Sequence, residues 1–233
     1  MAGRAARFRV GAVELLVRHE DRFALEETVR FQEYGFLAAL GAGTDPPVVV
    51  DLGANIGLFS AHVLSMWPRA VVYSFEPSPE TYKVLEGNRA LNRGFAWNTY
   101  PWAVWSEDGQ VDFWQGRHST SGSILTGAKR GIGSVDRVRT ISLQTLMCTC
   151  AEKRIDLMKM DIEGAEGEVL RTGASVLDAI EHLVVEVHPE LCMPTDVERV
   201  LRRAYPYIFQ VPGRRSSKPL LLASRSQWPL PRI

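Results

Sequence analysis

The sequence has few cysteines and no long apolar run. Cys148, Cys150 and Cys192 are too few for a disulfide scaffold, and the C-x-C spacing lacks the further Cys or His pair of a zinc site. So few thiols are typical of reduced cysteines in the cytoplasm. No apolar stretch is long enough to span a membrane, and residues 1–9 are not followed by the apolar core of a secretory signal. We therefore expect a cytoplasmic protein with no membrane span.

An excess of charge of one sign is also lacking. The chain has 27 Lys+Arg and 27 Asp+Glu, so its formal net charge is zero, which argues against nucleic acid as a partner. The 233 residues suit one α/β domain with a small addition, and 45% hydrophobic content is enough for a full core. A Gly- and Pro-containing linker predicts an N-terminal preface over residues 1–45 and a main domain over 46–233.

The preface has two predicted elements. Residues 10–17 favour a strand or a small hairpin, and residues 26–40 have the apolar periodicity of an amphipathic helix. The preface either covers one side of a pocket or only packs on the sheet, and the sequence leaves both roles open.

The most informative stretch is residues 48–57, VVVDLGANIG. It begins as a strand buried on both faces and breaks at Gly53 and Gly57, which permit a sharp turn and close approach by a ligand. A helix is expected from Leu58, and a strand, glycine turn and helix in this order typically bind a ligand at the helix N-terminus. The alternative is a structural turn without a ligand.

The glycine spacing excludes two common phosphate-binding loops. The dinucleotide pattern G-x-G-x-x-G fails because Asn55 and Leu58 occupy its second and third glycine positions, and no Lys follows Gly57 as a P-loop requires. The remaining pattern, D-x-G-x-N-x-G, is similar to the first motif of S-adenosylmethionine-dependent methyltransferases. That cofactor has no phosphate and carries a sulfonium and an ammonium, which favour a nearby carboxylate such as Asp51.

The next two predicted strands extend this site. Residues 70–76 end in Glu76, whose carboxylate can accept hydrogen bonds from both hydroxyls of a ribose, and Pro77 follows it. The alternative for Glu76 is a solvated charge at a strand end. A third strand, over residues 95–105, brings Ala103 to the expected position of the adenine. The polar, glycine-rich residues 118–134 are a candidate substrate lid.

A second cluster of polar residues follows a later strand. Lys159, Asp161 and Glu163 alternate along it, which predicts one polar face, and the strand breaks at Gly164. The alternative is a structural salt-bridge network. The strand over residues 181–188 brings Glu186 and His188 to the same edge of the sheet.

Three of these residues are the candidate catalytic groups. His188 has an ordinary pKa near working pH, and Asp161 and Glu163 are the other candidate bases. Asp161 and Glu163 could instead bind a divalent cation such as Mg²⁺, and a core or surface histidine is the alternative for His188.

Together these segments resemble the FkbM-type methyltransferases. The resemblance covers roughly residues 47–190, and its most specific part is the string from Lys159 to Glu166, KMDIEGAE. It implies an α/β Rossmann-like class I methyltransferase fold, with a seven-stranded, mostly parallel sheet, an antiparallel last strand and helices on both faces. It also implies methylation of hydroxyl groups on sugars, glycans or secondary metabolites with S-adenosylmethionine. Gln144 departs from the Asp common at this position in the family.

The resemblance assigns the cofactor site residue by residue. The expected set is Asp51, Gly53, Asn55, Gly57, Glu76, Pro77, Ala103 and Asp161.

Two other classes of function are weighed against a methyltransferase. An NAD-dependent oxidoreductase would share the fold, although the glycine spacing disfavours it. A non-catalytic binding protein on the same fold is disfavoured by the retained acidic residues. The acceptor and the need for a metal are not determined by the sequence, and a homo-oligomer is compatible with it.

Overall fold

The computed structural model describes residues 5–22, 24–26, 35, 37–40, 46–115, 122–124, 134–150, 153–211 and 218–227. The strands are β1 (Ala6–Val10), β2 (Val13–Val17), β3 (Val48–Leu52), β4 (Val71–Phe75), β5 (Ala96–Tyr100), β6 (Trp102–Val104), β7 (Gly109–Trp114), β8 (Val135–Ile141), β9 (Ile155–Met160), β10 (Ile180–Glu186), β11 (Tyr207–Gln210) and β12 (Leu220–Ser224). The helices are α1 (Leu37–Leu40), α2 (Leu58–Met66), α3 (Pro79–Leu91), α4 (Leu143–Thr149), α5 (Glu166–Thr172) and α6 (Pro194–Ala204), with 3₁₀ turns at His19–Asp21 and Ala174–Ala179.

Seven strands form the main sheet, in the order β11-β12-β10-β9-β3-β4-β5. All neighbours from β10 to β5 pair in parallel, whereas the last strand, β12, runs antiparallel to both β10 and β11. This confirms the predicted seven-stranded, mostly parallel sheet. From β3 the chain adds β4 and β5 on one side of the sheet and later β9 and β10 on the other. The carboxyl ends of β3, β4 and β9 therefore meet at one edge beside this switch point, where α/β proteins bind ligands.

Two hydrophobic cores lie on the two faces of this sheet. Successive side chains of a strand point to opposite faces, and β3 shows this with Val50 in one core and Val49 in the other. The first core includes Val169 of α5 and Leu201 of α6, and the second includes Phe59 of α2. The sheet is therefore covered by helices on both faces, as predicted.

The predicted third strand, residues 95–105, is divided in two. Pro101, which has no backbone N–H for a sheet ladder, separates β5 from β6. β6 leaves the main sheet and pairs with β8 in a three-stranded sheet of order β6-β8-β7. The predicted strand region is therefore extended as expected, but it forms two strands in two different sheets.

The N-terminal hairpin of β1 and β2 packs on the face that carries α2 and α3. Val13 and Leu15 are fully buried in the second core. The Asn88 side chain accepts the Leu16 N–H at 2.7 Å, and Asn92 accepts the Glu14 N–H at 3.0 Å. Asn88 of α3 and Asn92, which directly follows the helix, fix the hairpin to the main domain.

Several predictions concern residues that are wholly or partly outside the described part of the chain. Of the helix expected over residues 26–40, the structure describes residue 26, residue 35 and α1. Most of the candidate lid at 118–134 lies outside the described residues. The division at residue 45 and the role of the preface stay predictions. None of the described helices is long and apolar enough to cross a membrane.

Candidate active site

The turn after β3 is held between the ends of two neighbouring strands. The N–H groups of Gly53 and Ala54 both donate to the Phe75 carbonyl at 3.0 Å. Gly53 has a φ of +71°, and a Cβ there would lie 1.8 Å from the Asp161 carbonyl oxygen. Gly57 has a φ of +91°, and a Cβ there would lie 2.5 Å from the Trp97 ring. Both positions require glycine for the turn itself, because a side chain would be strained and would meet fixed neighbours.

Asn55 also has a left-handed backbone, with a φ of +51°. Asparagine tolerates this conformation better than most residues. Its N–H donates to Glu76 Oε2 at 2.8 Å, so the turn is hydrogen-bonded directly to the acid that ends the next strand.

Asp51 lies beneath the turn and is fully buried. The Ser60 hydroxyl donates to Asp51 Oδ2 at 2.7 Å. Because the Ser60 hydroxyl has only this one hydrogen, Ser74 must be the donor in the 2.8 Å hydrogen bond between the two serines. The Trp97 indole N–H donates to Ser74 in turn, also at 2.8 Å. Burial raises the pKa of Asp51, and the charge of Lys159 opposes this shift. The sequence did not reveal the three donors that lead to this carboxylate.

Glu76 is buried at the end of β4, with both carboxylate oxygens engaged by backbone. Oε2 accepts the Asn55 N–H, and Oε1 accepts the Ser78 N–H at 2.9 Å. Burial raises the pKa of Glu76 to about 7, against these two hydrogen bonds. Each oxygen has a second lone pair, so the carboxylate can still accept from a ligand hydroxyl.

Pro77 and Ala103 are two further residues of the expected cofactor set. Pro77 directly follows Glu76, before Ser78 caps α3 by accepting the Thr81 N–H. Ala103 is buried in β6 in a small cluster with Phe113 and Val138. The roles of Pro77 and Ala103 in binding a cofactor stay predictions.

Lys159 connects the turn to the second polar cluster. Its Nζ is nine-tenths buried and lies 3.4 Å from Asp51 Oδ1, 3.2 Å from the Gly53 carbonyl and 3.5 Å from Asp161 Oδ2. Burial lowers the pKa of Lys159, but the charges of Asp51 and Asp161 outweigh burial and raise it. Lys159 is therefore a permanent cation between the two carboxylates.

Asp161 and Glu163 differ from the predicted strand pattern. β9 ends at Met160, and Glu163 has a left-handed φ of +52°. The expectation that Lys159, Asp161 and Glu163 alternate along one strand was therefore wrong for two of them, because Asp161 directly follows the strand and Glu163 lies in the turn after it. The Ser123 hydroxyl donates to the Glu163 carbonyl at 2.9 Å. The turn points both acidic side chains toward His188.

His188 is fully buried at the centre of this cluster. Its Nδ1 lies 2.8 Å from Glu166 Oε1, while Nε2 lies 3.3 Å from Glu163 Oε2 and 3.8 Å from Asp161 Oδ1. Burial would lower the pKa of His188, but the surrounding carboxylates raise it to about 11. In this ligand-free arrangement the imidazole is a cation at neutral pH, which opposes its predicted role as a base.

Glu166 is a site residue that sequence reasoning missed. This fully buried acid also accepts the Gly164 N–H at 3.1 Å, so its Oε1 receives both a backbone and a ring hydrogen. The ring atom Nδ1 must therefore be the donor, and Nε2 is turned toward Asp161 and Glu163. The available sequence signal is an acid in the first turn of a helix, a position where acids are common because they interact favourably with the helix dipole.

Glu186 and Lys218 complete the cluster. Lys218 Nζ lies 3.9 Å from Glu163 Oε1 and from Glu186 Oε1. Burial and the charge of Asp161 raise the pKa of Glu186 to about 9. Four carboxylates thus surround one imidazole, and ligand atoms of Asp161, Glu186 and His188 lie within 4.8 Å of one another.

Gln144 has a structural role in the described residues. Ser142 caps α4 by accepting the Thr145 N–H, and Gln144 Nε2 donates to the Thr172 carbonyl at 3.2 Å. Gln144, where the family commonly has Asp, therefore lies in a contact between α4 and α5, away from the glycine turn after β3.

The strand order and the glycine turn facing Glu76 define a class I S-adenosylmethionine-dependent methyltransferase. A family model, the methyltransferase FkbM domain, matches residues 51–207. The chain belongs to the FkbM methyltransferase family. This membership favours methyl transfer over the oxidoreductase alternative.

Two curated relatives cover most of the same region. The hexuronic acid methyltransferase AglP of Haloferax volcanii is 28% identical over 206 residues, which are 88% of this chain and 79% of AglP. The 2-O-methyltransferase NoeI of Sinorhizobium fredii is 29% identical over 159 residues, which are 60% of this chain and 63% of NoeI.

Among solved structures, the SAM-dependent methyltransferase from Agrobacterium tumefaciens superposes with a TM-score of 0.54 at 12% identity, covering 97% of this chain and 72% of that one. At this identity the likeness shows the fold alone. The chain spans about two fifths of the length of some larger solved structures that it also resembles.

Proposed function

We propose that the chain transfers the methyl group of S-adenosylmethionine to a hydroxyl oxygen of a sugar, glycan or secondary metabolite. The observation that carries the proposal is the position of the Asp161–His188 cluster, which Lys159 joins to the glycine turn across one sheet edge. The name of AglP, a hexuronic acid methyltransferase, supports a sugar acceptor, and the name of NoeI, a 2-O-methyltransferase, supports transfer to oxygen.

The cofactor would occupy the crevice between the Gly53 turn and Glu76. The free lone pairs of the Glu76 carboxylate would accept both ribose hydroxyls, since its other hydrogen bonds come from backbone N–H groups. Asp161 would face the cationic end of the cofactor, with Asp51 supporting the turn from below. The remaining members of the proposed set are Asn55, Gly57, Pro77 and Ala103.

Methyl transfer requires alignment and removal of one proton. The acceptor oxygen forms a bond to the methyl carbon as the carbon–sulfur bond breaks, and the sulfur keeps that electron pair and becomes neutral. The hydroxyl proton must pass to a base, because an alcohol is a weak nucleophile at neutral pH. Alignment of the two reactants in the crevice supplies much of the rest of the rate acceleration.

Glu163 is the proposed base among the three candidates. The Asp161 carboxylate is held by Lys159 at 3.5 Å, and the His188 ring is fully buried behind both acids. The Glu163 side chain keeps about a fifth of its surface exposed, and its described cationic neighbours are His188 Nε2 and the more distant Lys218. A divalent cation held beside Glu163 would assist by lowering the pKa of the hydroxyl.

The test is the substitution Glu163→Gln, with the exposed Glu190→Gln as a matched control. Loss of a general base lowers kcat by about 10²- to 10⁴-fold, while the Kd of S-adenosylmethionine, measured by calorimetry, should stay the same. A screen of hexuronic acids, neutral sugars and hydroxylated metabolites, read by mass spectrometry, identifies the acceptor. Full activity of Glu163→Gln on that acceptor would remove Glu163 from the mechanism.

Calorimetry also separates the alternatives. S-adenosylmethionine should bind and NAD should not, and the reverse result would favour the oxidoreductase. Binding without turnover on any acceptor would favour the non-catalytic alternative. The cytoplasmic location and a homo-oligomer stay predictions, and light scattering in solution tests the second.

A further inference from the structure

Three side chains with metal-ligating atoms meet where β9 and β10 end. The parallel register pairs Met160 with Val185, so Asp161 and Glu186 follow at the same level of the sheet, and His188 lies two residues further on. One ligand atom from each of Asp161, Glu186 and His188 lies within 4.8 Å of the others. When metal–ligand bonds are about 2.0–2.2 Å long, ligand atoms at neighbouring (cis) positions lie about 3 Å apart, and those at opposite (trans) positions lie about 4.2 Å apart. Inward side-chain movements of less than about 1 Å would therefore complete a site.

The His188 ring supplies an independent sign of a missing ligand. Its side chain has no exposed surface, and within the described part of the chain its Nε2 has the Glu163 carboxylate at 3.3 Å but no contact with the geometry of a hydrogen bond. Asp161 Oδ1, 3.8 Å away, is a second buried atom with no hydrogen bond to the described residues. A buried donor or acceptor without a partner is unfavourable, and these two face each other across the same space.

Glu166 holds the ring in the orientation that a metal ligand needs. It accepts from Nδ1 at 2.8 Å, which leaves Nε2 directed at the acidic groups. A carboxylate on the far nitrogen is the usual companion of a histidine that binds a metal. Lys159 similarly engages Asp161 Oδ2 at 3.5 Å and leaves Oδ1 on the side of His188.

We propose that Asp161, Glu186 and His188 bind a divalent first-row transition-metal ion, with Mn²⁺ as the best match. One imidazole nitrogen beside two carboxylates suits Mn²⁺ better than Mg²⁺, which prefers an all-oxygen shell. The sequence-based pair for a metal, Asp161 and Glu163, is therefore replaced in this proposal by a set of three that excludes Glu163.

The local charge is consistent with a bound cation. Glu163 and Glu166 add two further carboxylates beside the three ligands. The nearby described lysines are Lys159, 3.5 Å from Asp161 Oδ2, and Lys218, 3.9 Å from Glu186 Oε1. The Lys218 side chain is about a third exposed, so it has room to move outward when a metal enters.

The role of the ion rests on the proposed function. Three protein ligands leave coordination positions open, and an acceptor oxygen at one of them would lose its proton to Glu163 more easily. An acceptor with two neighbouring oxygens, such as a vicinal diol or a hydroxyl beside a carboxylate, would fill two open positions. The metal would thereby contribute to the choice of acceptor.

The first experiment measures Mn²⁺ binding to the full chain after dialysis against EDTA, by calorimetry and by electron paramagnetic resonance of free Mn²⁺. The expected result is one site per chain, at least tenfold weaker in His188→Ala and in Glu186→Gln. His62→Ala, a change to a histidine on α2 outside the cluster, should bind Mn²⁺ as the unmodified chain does. No stoichiometric binding, or equal binding by all four proteins, overturns the proposal.

A second measurement uses the unmodified protein and does not depend on the variants folding. Electron spin echo envelope modulation of the Mn²⁺ complex should show coupling to an imidazole ¹⁴N, and its absence overturns the assignment of His188. S-adenosylmethionine binding is measured on the same samples. If it binds and Mn²⁺ does not, the metal site is wrong and the proposed function stands. If Mn²⁺ binds and S-adenosylmethionine does not, the site stands and the proposed function is wrong.

Discussion

Glu76→Gln should change how the stability of the protein depends on pH. Burial raises the pKa of Glu76 to about 7 from an ordinary 4.5. The folded state therefore binds a proton more tightly than the unfolded state, and this contribution to stability is full below pH 4.5 and is lost as pH rises through 7. A shift of about 2.5 units at 1.36 kcal/mol each is about 3 kcal/mol. Glutamine cannot titrate, so the variant does not lose stability through this group as pH rises.

The measured quantity is the difference in free energy of unfolding between Glu76→Gln and the unmodified chain, by urea denaturation from pH 4.5 to 8. As pH rises over this range, the free energy of unfolding of the variant should increase by about 3 kcal/mol relative to that of the unmodified chain. A constant offset is expected as well, because the glutamine NH₂ would face one of the N–H groups of Asn55 and Ser78. The exposed Glu107→Gln is the control and should give a difference independent of pH.

The same variant tests the role of Glu76 toward the cofactor. Each hydrogen bond from a ribose hydroxyl to the carboxylate is worth about 1.5–3 kcal/mol, so the Kd of S-adenosylmethionine should rise at least about tenfold. A flat stability difference across this pH range would show that the Glu76 carboxylate is not desolvated as the structure has it. An unchanged Kd would remove Glu76 from the ribose site.

Two further predictions concern the glycine turn after β3 and the carboxylate beneath it. Ser60→Ala removes the 2.7 Å hydrogen bond to the buried Asp51 and should lower stability by about 1–3 kcal/mol in urea denaturation, whereas exposed Ser175→Ala should change little. Gly57→Ala places a side chain at a φ of +91° and 2.5 Å from the Trp97 ring, so we expect a loss of at least about 2 kcal/mol. The helical Gly87, where a Cβ meets nothing within 4 Å, provides the contrast, because Gly87→Ala should stabilise by about 0.5–1 kcal/mol. Equal thermal melting shifts for the two glycine variants would contradict this account.

The sequence by itself determined the elements whose signals are local. The apolar run at 48–50 and the glycines at 53 and 57 each specify the conformation of their own segment, and the structure has them as predicted. The seven-stranded, mostly parallel sheet with its antiparallel last strand also followed, because family resemblance carries the fold along with these motifs. Glu76 and Asp161 came to the same edge of the sheet for the same reason.

Only the tertiary structure decided which polar groups meet. Lys159 and Asp51 are 108 positions apart in the chain, and His188 and Glu166 are 22 apart, so no local pattern relates either pair. The place of Glu163 depended on where β9 stops, because one left-handed residue takes a side chain out of the strand alternation. Glu166 looked like a helix-end charge in the sequence, and its function as the partner of His188 arises from packing of α5 against the end of β10. Local rules specify backbone conformation, whereas a buried charge is specified by the partners that the whole fold brings to it.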